Sequence, residues 1–155
     1  MTDPVAKAEM LIRRPVAEVF EAFVDPAVTS RFWFTSGSGR LETGRRVRWD
    51  WAMYGVSADV DVKALEDERR ILIEWPDEGG TSEVEWLFTP RGDDTTFVSI
   101  RNSGFTGDPD KKVEAAIHST EGFALVLAGL KAWLEQGVTL GLVADRHPDT
   151  IVQPA

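Results

Sequence analysis

The chain contains no cysteine. Disulfides, zinc–thiolate sites, iron–sulfur clusters and thiol nucleophiles are therefore excluded. Basic charge is in short supply, with 17 lysines and arginines against 26 acidic residues and a net charge of -9. A general nucleic-acid binder needs a basic face for phosphates, and an anionic membrane surface repels an acidic protein. Neither a nucleic-acid partner nor membrane insertion is expected. Histidine is scarce too: His118 and His147 stand far apart, without the His-x-x-x-His spacing of a metal site. No metal or cofactor is expected. No apolar run reads as long enough to span a bilayer, and MTDPVAKAEM lacks the layout of a signal peptide. A cytoplasmic protein is the default expectation, as one domain over residues 1–155 with 138–155 as a C-terminal tail.

The longest helical periodicity lies in Lys112 to Glu135. Val113, Ala116, Ile117, Thr120, Phe123, Ala124, Leu127, Leu130 and Leu134 fall on one broad face, with His118 on the far side. Lys131 interrupts that face where a lysine can lay its methylenes on apolar surface. Gly137 supplies a left-handed C-cap.

Strands precede this helix. Val5 to Ile12 reads as the first. Pro15 opens a short helix with Val16, Val19, Phe20 and Phe23 as its stripe, and Asp25-Pro26 ends it. Ala27 to Arg31 reads as a second short helix, and Ser36 to Gly39 as a flexible loop. Arg46 to Met53 alternates, with Val47, Trp49, Trp51 and Met53 sharing a face. Inward rows follow: Ala58, Val60, Val62 and Ala64; Ile71, Ile73 and Trp75; Val84, Trp86 and Phe88; Val98, Ile100 and Asn102. Turns are expected at Tyr54-Gly55, Glu66 to Glu68, Pro76 to Gly80 and Gly92 to Asp94. Tight turns between short strands favour antiparallel pairing. The fold class is α+β: a curved antiparallel β-sheet wrapped around a long C-terminal helix, with two short helices after the first strand.

IRRPVAEVFEAFVDP followed by SRFWF, then SIRNSGF, then EGFALVLAGLKAWLE, in that order and spacing, resembles the family of activators of heat-shock protein 90 ATPase homologues (AHSA-type). That family lies in the START-like, birch-pollen-allergen-like (SRPBCC) superfamily with the helix-grip fold. The resemblance covers roughly residues 5–136. It implies a cavity between sheet and long helix, and a link to stress responses.

The residues expected to bind a ligand there are Phe32, Trp33, Trp49, Trp51, Met53, Trp75, Trp86, Asn102, Phe105, Thr120, Phe123 and Leu127. Indoles pair a flat apolar body with one N–H donor, which suits a flat apolar ligand. Asn102 and Thr120 are the polar groups aimed inward; each either bonds nearby backbone or orients a ligand carbonyl or hydroxyl. Asp59, Asp61, Glu83 and Glu85 alternate with apolar residues and should face outward, so no catalytic residue is assigned. Non-catalytic binding of a small hydrophobic or amphipathic molecule is the expectation. A cyclase- or hydrolase-like enzyme and a co-chaperone-like interaction module stay open, as do a chaperone partner and a homodimer. Val138, Leu140, Leu142 and Val143 make the tail too apolar to stand free, so it either folds back or buries against a second subunit.

Overall fold

A computed structural model describes residues 2–77 and 79–151. Strand β1 (Ala6–Ile12) leads into α1 (Val16–Val24) and α2 (Pro26–Thr29). Then come β2 (Ser36–Gly37), β3 (Arg46–Trp51), β4 (Val56–Glu66), β5 (Arg70–Asp77), β6 (Gly80–Pro90) and β7 (Thr96–Ser103). Helix α3 (Pro109–Gln136) and the short α4 (Leu142–Arg146) follow. The seven strands form one antiparallel sheet in the order β1-β7-β6-β5-β4-β3-β2. The first strand thus pairs with the last, and α3 packs across the sheet beside β1. This is the helix-grip arrangement that the alternation and the long helix predict.

Local chemistry sets the boundaries. Asp25 is shared between two helices: its N–H closes α1 on the Glu21 carbonyl, and its side chain accepts from the Ala27 N–H to open α2. Asp108 caps α3 by accepting from the Lys111 N–H at 2.9 Å, and Gly137 ends it at φ 66°. The core joins α1 to both: Val19, Phe20 and Phe23 meet Trp86 and Phe88 from the sheet and Leu127 and Leu130 from α3. Each large side chain so buried contributes roughly 1.5–3 kcal/mol before entropy is subtracted.

Several expectations are corrected. Ser36 and Gly37 are not loop: they pair with Asp50 and Trp49 of β3. A Cβ at Gly37 would lie 2.9 Å from the Pro26 Cβ, so only glycine allows this approach. Strand β3 ends at Trp51, and Ala52–Tyr54 makes a 3-10 turn closed by Gly55 at φ 63°. Met53 therefore leaves the inward row. A bulge between Val62 and Ala64 shifts β4 by one residue, so Leu65, not Ala64, packs on the core. Strand β5 runs on to Asp77, which pairs with Gly80; the part of the expected turn at Glu78 lies outside the described residues.

The largest correction concerns the phase of α3. Val113 and Ile117 are 48% and 64% exposed, and Ala124 is exposed too. The buried side runs through Ala116, Phe123, Val126, Leu127, Gly129 and Leu130. The helix is also long and apolar enough to cross a membrane by those two criteria, contrary to the expectation from the sequence. In this fold its apolar side closes the core. Lys131, whose amine is expected to reach water, instead donates its ammonium to the Leu11 carbonyl at 2.8 Å and pairs with Glu135 at 2.7 Å.

The tail folds back. Val143 packs on the core, and the Tyr54 hydroxyl donates to the carbonyls of Val143 and Ala144. Val138 and Leu140 remain about half exposed, at 46% and 49%.

Candidate functional site

A cavity of about 370 Å³ opens between the sheet, the middle of α3 and α4. That volume falls in the range of small-molecule sites. Its apolar wall is aromatic. Trp75 stacks on Phe123 at 5.9 Å and 23°, Trp33 meets Phe123 edge-on at 5.7 Å, and Phe105 adds a fourth ring. Trp33 is placed by the α2–β2 connection, Trp75 by the inward row of β5, and Phe123 by the buried side of α3.

The polar part of the wall is a short chain of hydrogen bonds. Asn102, 2% exposed at the end of the β7 inward row, donates from Nδ2 to Ser82 Oγ at 3.0 Å and to the Glu83 carbonyl at 2.7 Å. Ser119 on α3 donates to Asn102 Oδ1 at 2.8 Å. All three side chains line the cavity.

Charged and titratable groups ring the mouth instead. Arg146 of α4 clasps Glu121 of α3 through Nε and Nη2. This bond holds the Glu121 carboxyl below its ordinary pKa. His118 stands 3.8 Å from Glu114, His147 packs edge-on against Tyr54 at 6.2 Å, and Asp77 accepts from the Thr106 N–H at 3.2 Å. Among the described residues, the titratable wall groups are exposed (His118, Glu121, Arg146, His147) or half-buried (Tyr54, Asp77). The buried part of the wall can bind and orient through hydroxyl and amide groups. Among the described residues, no cluster of His, Cys, Asp or Glu is placed to hold a metal ion.

Of the residues singled out from sequence, Trp33, Trp75, Asn102, Phe105 and Phe123 lie together on this wall. Phe32, Trp49, Trp86 and Leu127 are buried in the core and not on the wall. The Trp86 Nε1–H is buried and has no hydrogen-bond partner among the described residues; the centroid of the Trp86 ring lies 5.8 and 6.1 Å from those of Phe23 and Phe123. Trp51 lines a separate open groove with Tyr54, Val56 and Val143. Met53 is half-buried in the 3-10 turn, its sulfur 4.0 Å from Thr35 Oγ1. Thr120 donates to the Ala116 carbonyl at 2.8 Å, the usual i−4 bond of a helical threonine, and is not on the wall.

Sequence reasoning missed Ser82, Ser119, Tyr54 and the whole rim. Ser82 extends the inward row of Val84, Trp86 and Phe88 by one step, so period two alone would have found it. Ser119 is one position from Thr120, and the error in helix phase exchanged them. His118 and His147, read as surface residues, are exposed but stand on the rim.

The chain matches the family described as Activator of Hsp90 ATPase homolog 1-like protein over residues 13–135. No curated protein matches it. Among solved structures it is similar to protein SSP2350 from Staphylococcus saprophyticus, at 28% identity and TM-score 0.74, covering 88% of this chain and 95% of that one. It is also similar to DynU16, a protein of the dynemicin biosynthetic locus, at 24% identity and TM-score 0.77. That match covers 89% of this chain and 49% of DynU16. The Aha1 dimer from Colwellia psychrerythraea aligns at 18% identity and TM-score 0.72, covering 88% of this chain and 98% of that one. The last two likenesses speak for the fold alone.

Proposed function

The chain belongs to the Activator of Hsp90 ATPase homolog 1-like family, and we propose that this member holds a small apolar or amphipathic molecule between sheet and helix without transforming it. The observation that carries this reading is the 370 Å³ cavity, whose wall combines five aromatic side chains, Tyr54 among them, with one hydrogen-bonded polar cluster. Aromatic faces desolvate a flat ligand, and the cluster gives it one orientation. The absence of a buried titratable group from the described wall favours holding over catalysis. A thermal-shift and tryptophan-fluorescence screen of lipids, sterols and aromatic polyketides tests it. Saturable stabilisation by one class supports the reading; silence across the panel defeats it.

A second reading, a protein-interaction module, is favoured by Val113 and Ile117. They stand one turn apart on α3 and are about half or more exposed, at 48% and 64%. The partner is a second copy of this chain or a chaperone ATPase. Sedimentation of the wild type and of Ile117→Glu tests the first, and co-purification with an effect on ATP turnover tests the second. A monomer at all concentrations, with no chaperone retained, ends this reading.

A further inference from the structure

We propose that the ligand of the cavity is a neutral aromatic alcohol or phenol whose single hydroxyl donates to Ser119 and accepts from Ser82. The inference rests on the ligand-holding reading above and names the chemistry that the site selects.

A backbone carbonyl sets the polarity of the wall. Asn102 Nδ2 lies 2.7 Å from the Glu83 carbonyl oxygen, which can only accept. This contact fixes the rotation of the side-chain amide, placing the NH₂ toward β6 and Oδ1 toward α3. The polarity then propagates in both directions. The second Nδ2 proton goes to Ser82 Oγ at 3.0 Å, so that oxygen is an acceptor in this bond and its own proton is left to donate elsewhere. Oδ1 can only accept, so Ser119 must spend its proton on it, at 2.8 Å. The Ser119 oxygen is left with lone pairs only.

Ser82 is 3% exposed, yet its hydroxyl proton meets no acceptor among the described residues. Ser119 Oγ likewise accepts from no donor among them. Both line the cavity. The wall thus offers one donor and one acceptor, spaced by the same amide. A hydroxyl is the smallest group that satisfies both at once. An ether or a ketone satisfies only Ser82. A carboxylate meets no cation inside the cavity, because Arg146 is held by Glu121 at the mouth. The aromatic body follows from the Trp75–Phe123 stack and the edge of Trp33.

Isothermal titration of the intact chain with 2-naphthol, 2-methoxynaphthalene and 2-methylnaphthalene tests this. In the wild type 2-naphthol should bind about tenfold tighter than the methoxy compound, one hydrogen bond being the difference. The methoxy compound should in turn exceed the methyl compound. Ser119→Ala should bring 2-naphthol down to the level of the methoxy compound and leave the latter unmoved. Ser82→Ala should weaken both and spare 2-methylnaphthalene, whose retained binding also reports that the variant is folded. Equal affinity of the three for the wild type overturns the inference and leaves the ligand-holding reading intact. Binding of none of them overturns the inference, while the ligand-holding reading is decided by the lipid, sterol and polyketide panel. The wild-type series decides the matter even where a variant does not fold.

Discussion

The Arg146 guanidinium and the Glu121 carboxylate meet across the cavity mouth, tying the C-terminal segment to the long helix. Both side chains are close to half exposed, so the pair adds little to stability and is screened by salt. Its effect should be on access. Arg146→Ala is expected to leave Tm nearly unchanged and to speed entry and exit of neutral 2-naphthol several-fold in stopped-flow tryptophan fluorescence. Raising the salt should reproduce part of that gain in the wild type. Unchanged rates in the variant would show that the segment does not gate the cavity.

Four carboxylates with lowered pKa values, Asp61, Glu66, Glu121 and Glu135, tie stability to pH with the same sign, the three exposed ones weakly. The Arg146 hydrogen bond lowers the pKa of Glu121. Burial pushes Glu135 up, but the Arg13 N–H and Lys131 outweigh it and leave its pKa lowered. A carboxyl with a lowered folded-state pKa takes up protons more readily when unfolded. Its contribution is therefore complete above the ordinary carboxylate pKa and is lost as pH falls through the lowered one. The urea midpoint should be flat from about pH 7 to about pH 5 and should fall below about pH 4. Glu135→Gln should flatten part of that fall. A midpoint that rises on acidification would contradict the assignment.

The phase of α3 predicts a contrast between two apolar residues. Phe123 is 5% exposed and touches Trp33, Trp75 and Trp86, so Phe123→Ala should cost about 3–5 kcal/mol. Ile117 is 64% exposed, and Ile117→Ala should stay within about 0.5 kcal/mol of the wild type. Chemical denaturation of the two variants measures this difference directly. Equal losses would mean that the helix is rotated from the position described.

Gly129 sets how closely α3 approaches the aromatic connection after α2. A Cβ there would lie 3.1 Å from the Phe32 Cβ and 3.2 Å from the Phe32 carbonyl oxygen. Alanine gains about 1 kcal/mol of helix propensity, while overpacking against backbone costs about 1–3 kcal/mol. A net loss of about 1 kcal/mol is expected in urea titration. A stabilised variant would show that Phe32 yields easily.

The sheet was largely legible because alternation survives wherever one face is buried: Val47 and Trp49, Ile71 and Ile73, and Val98 to Asn102 all point as their spacing predicts. The bulge after Val62 was not legible, since no residue type announces the extra residue there. The phase of α3 failed for a different reason. Its face was defined by counting apolar residues, and Val113, Ile117 and Ala124 were counted although they lie off the packed side. Gly129 and Ser119, which mark the packed side, carry no hydropathic signal. Ser82 and Ser119 went unseen because they are small polar residues made meaningful only by Asn102 between them. The rim needed the return of α4 over the mouth, a tertiary contact that no local pattern encodes.

The chain itself takes part of the outward backbone on both margins of the sheet. On one margin, the segment around β2 takes the Asp50 and Arg48 carbonyls and the N–H groups of Arg48 and Ala52. On the other, Lys131 occupies the Leu11 carbonyl and Glu135 the Arg13 N–H. Strand-by-strand recruitment, the usual road to fibrils and to dimers by sheet extension, is thereby discouraged at the β2 margin and at the C-terminal end of β1.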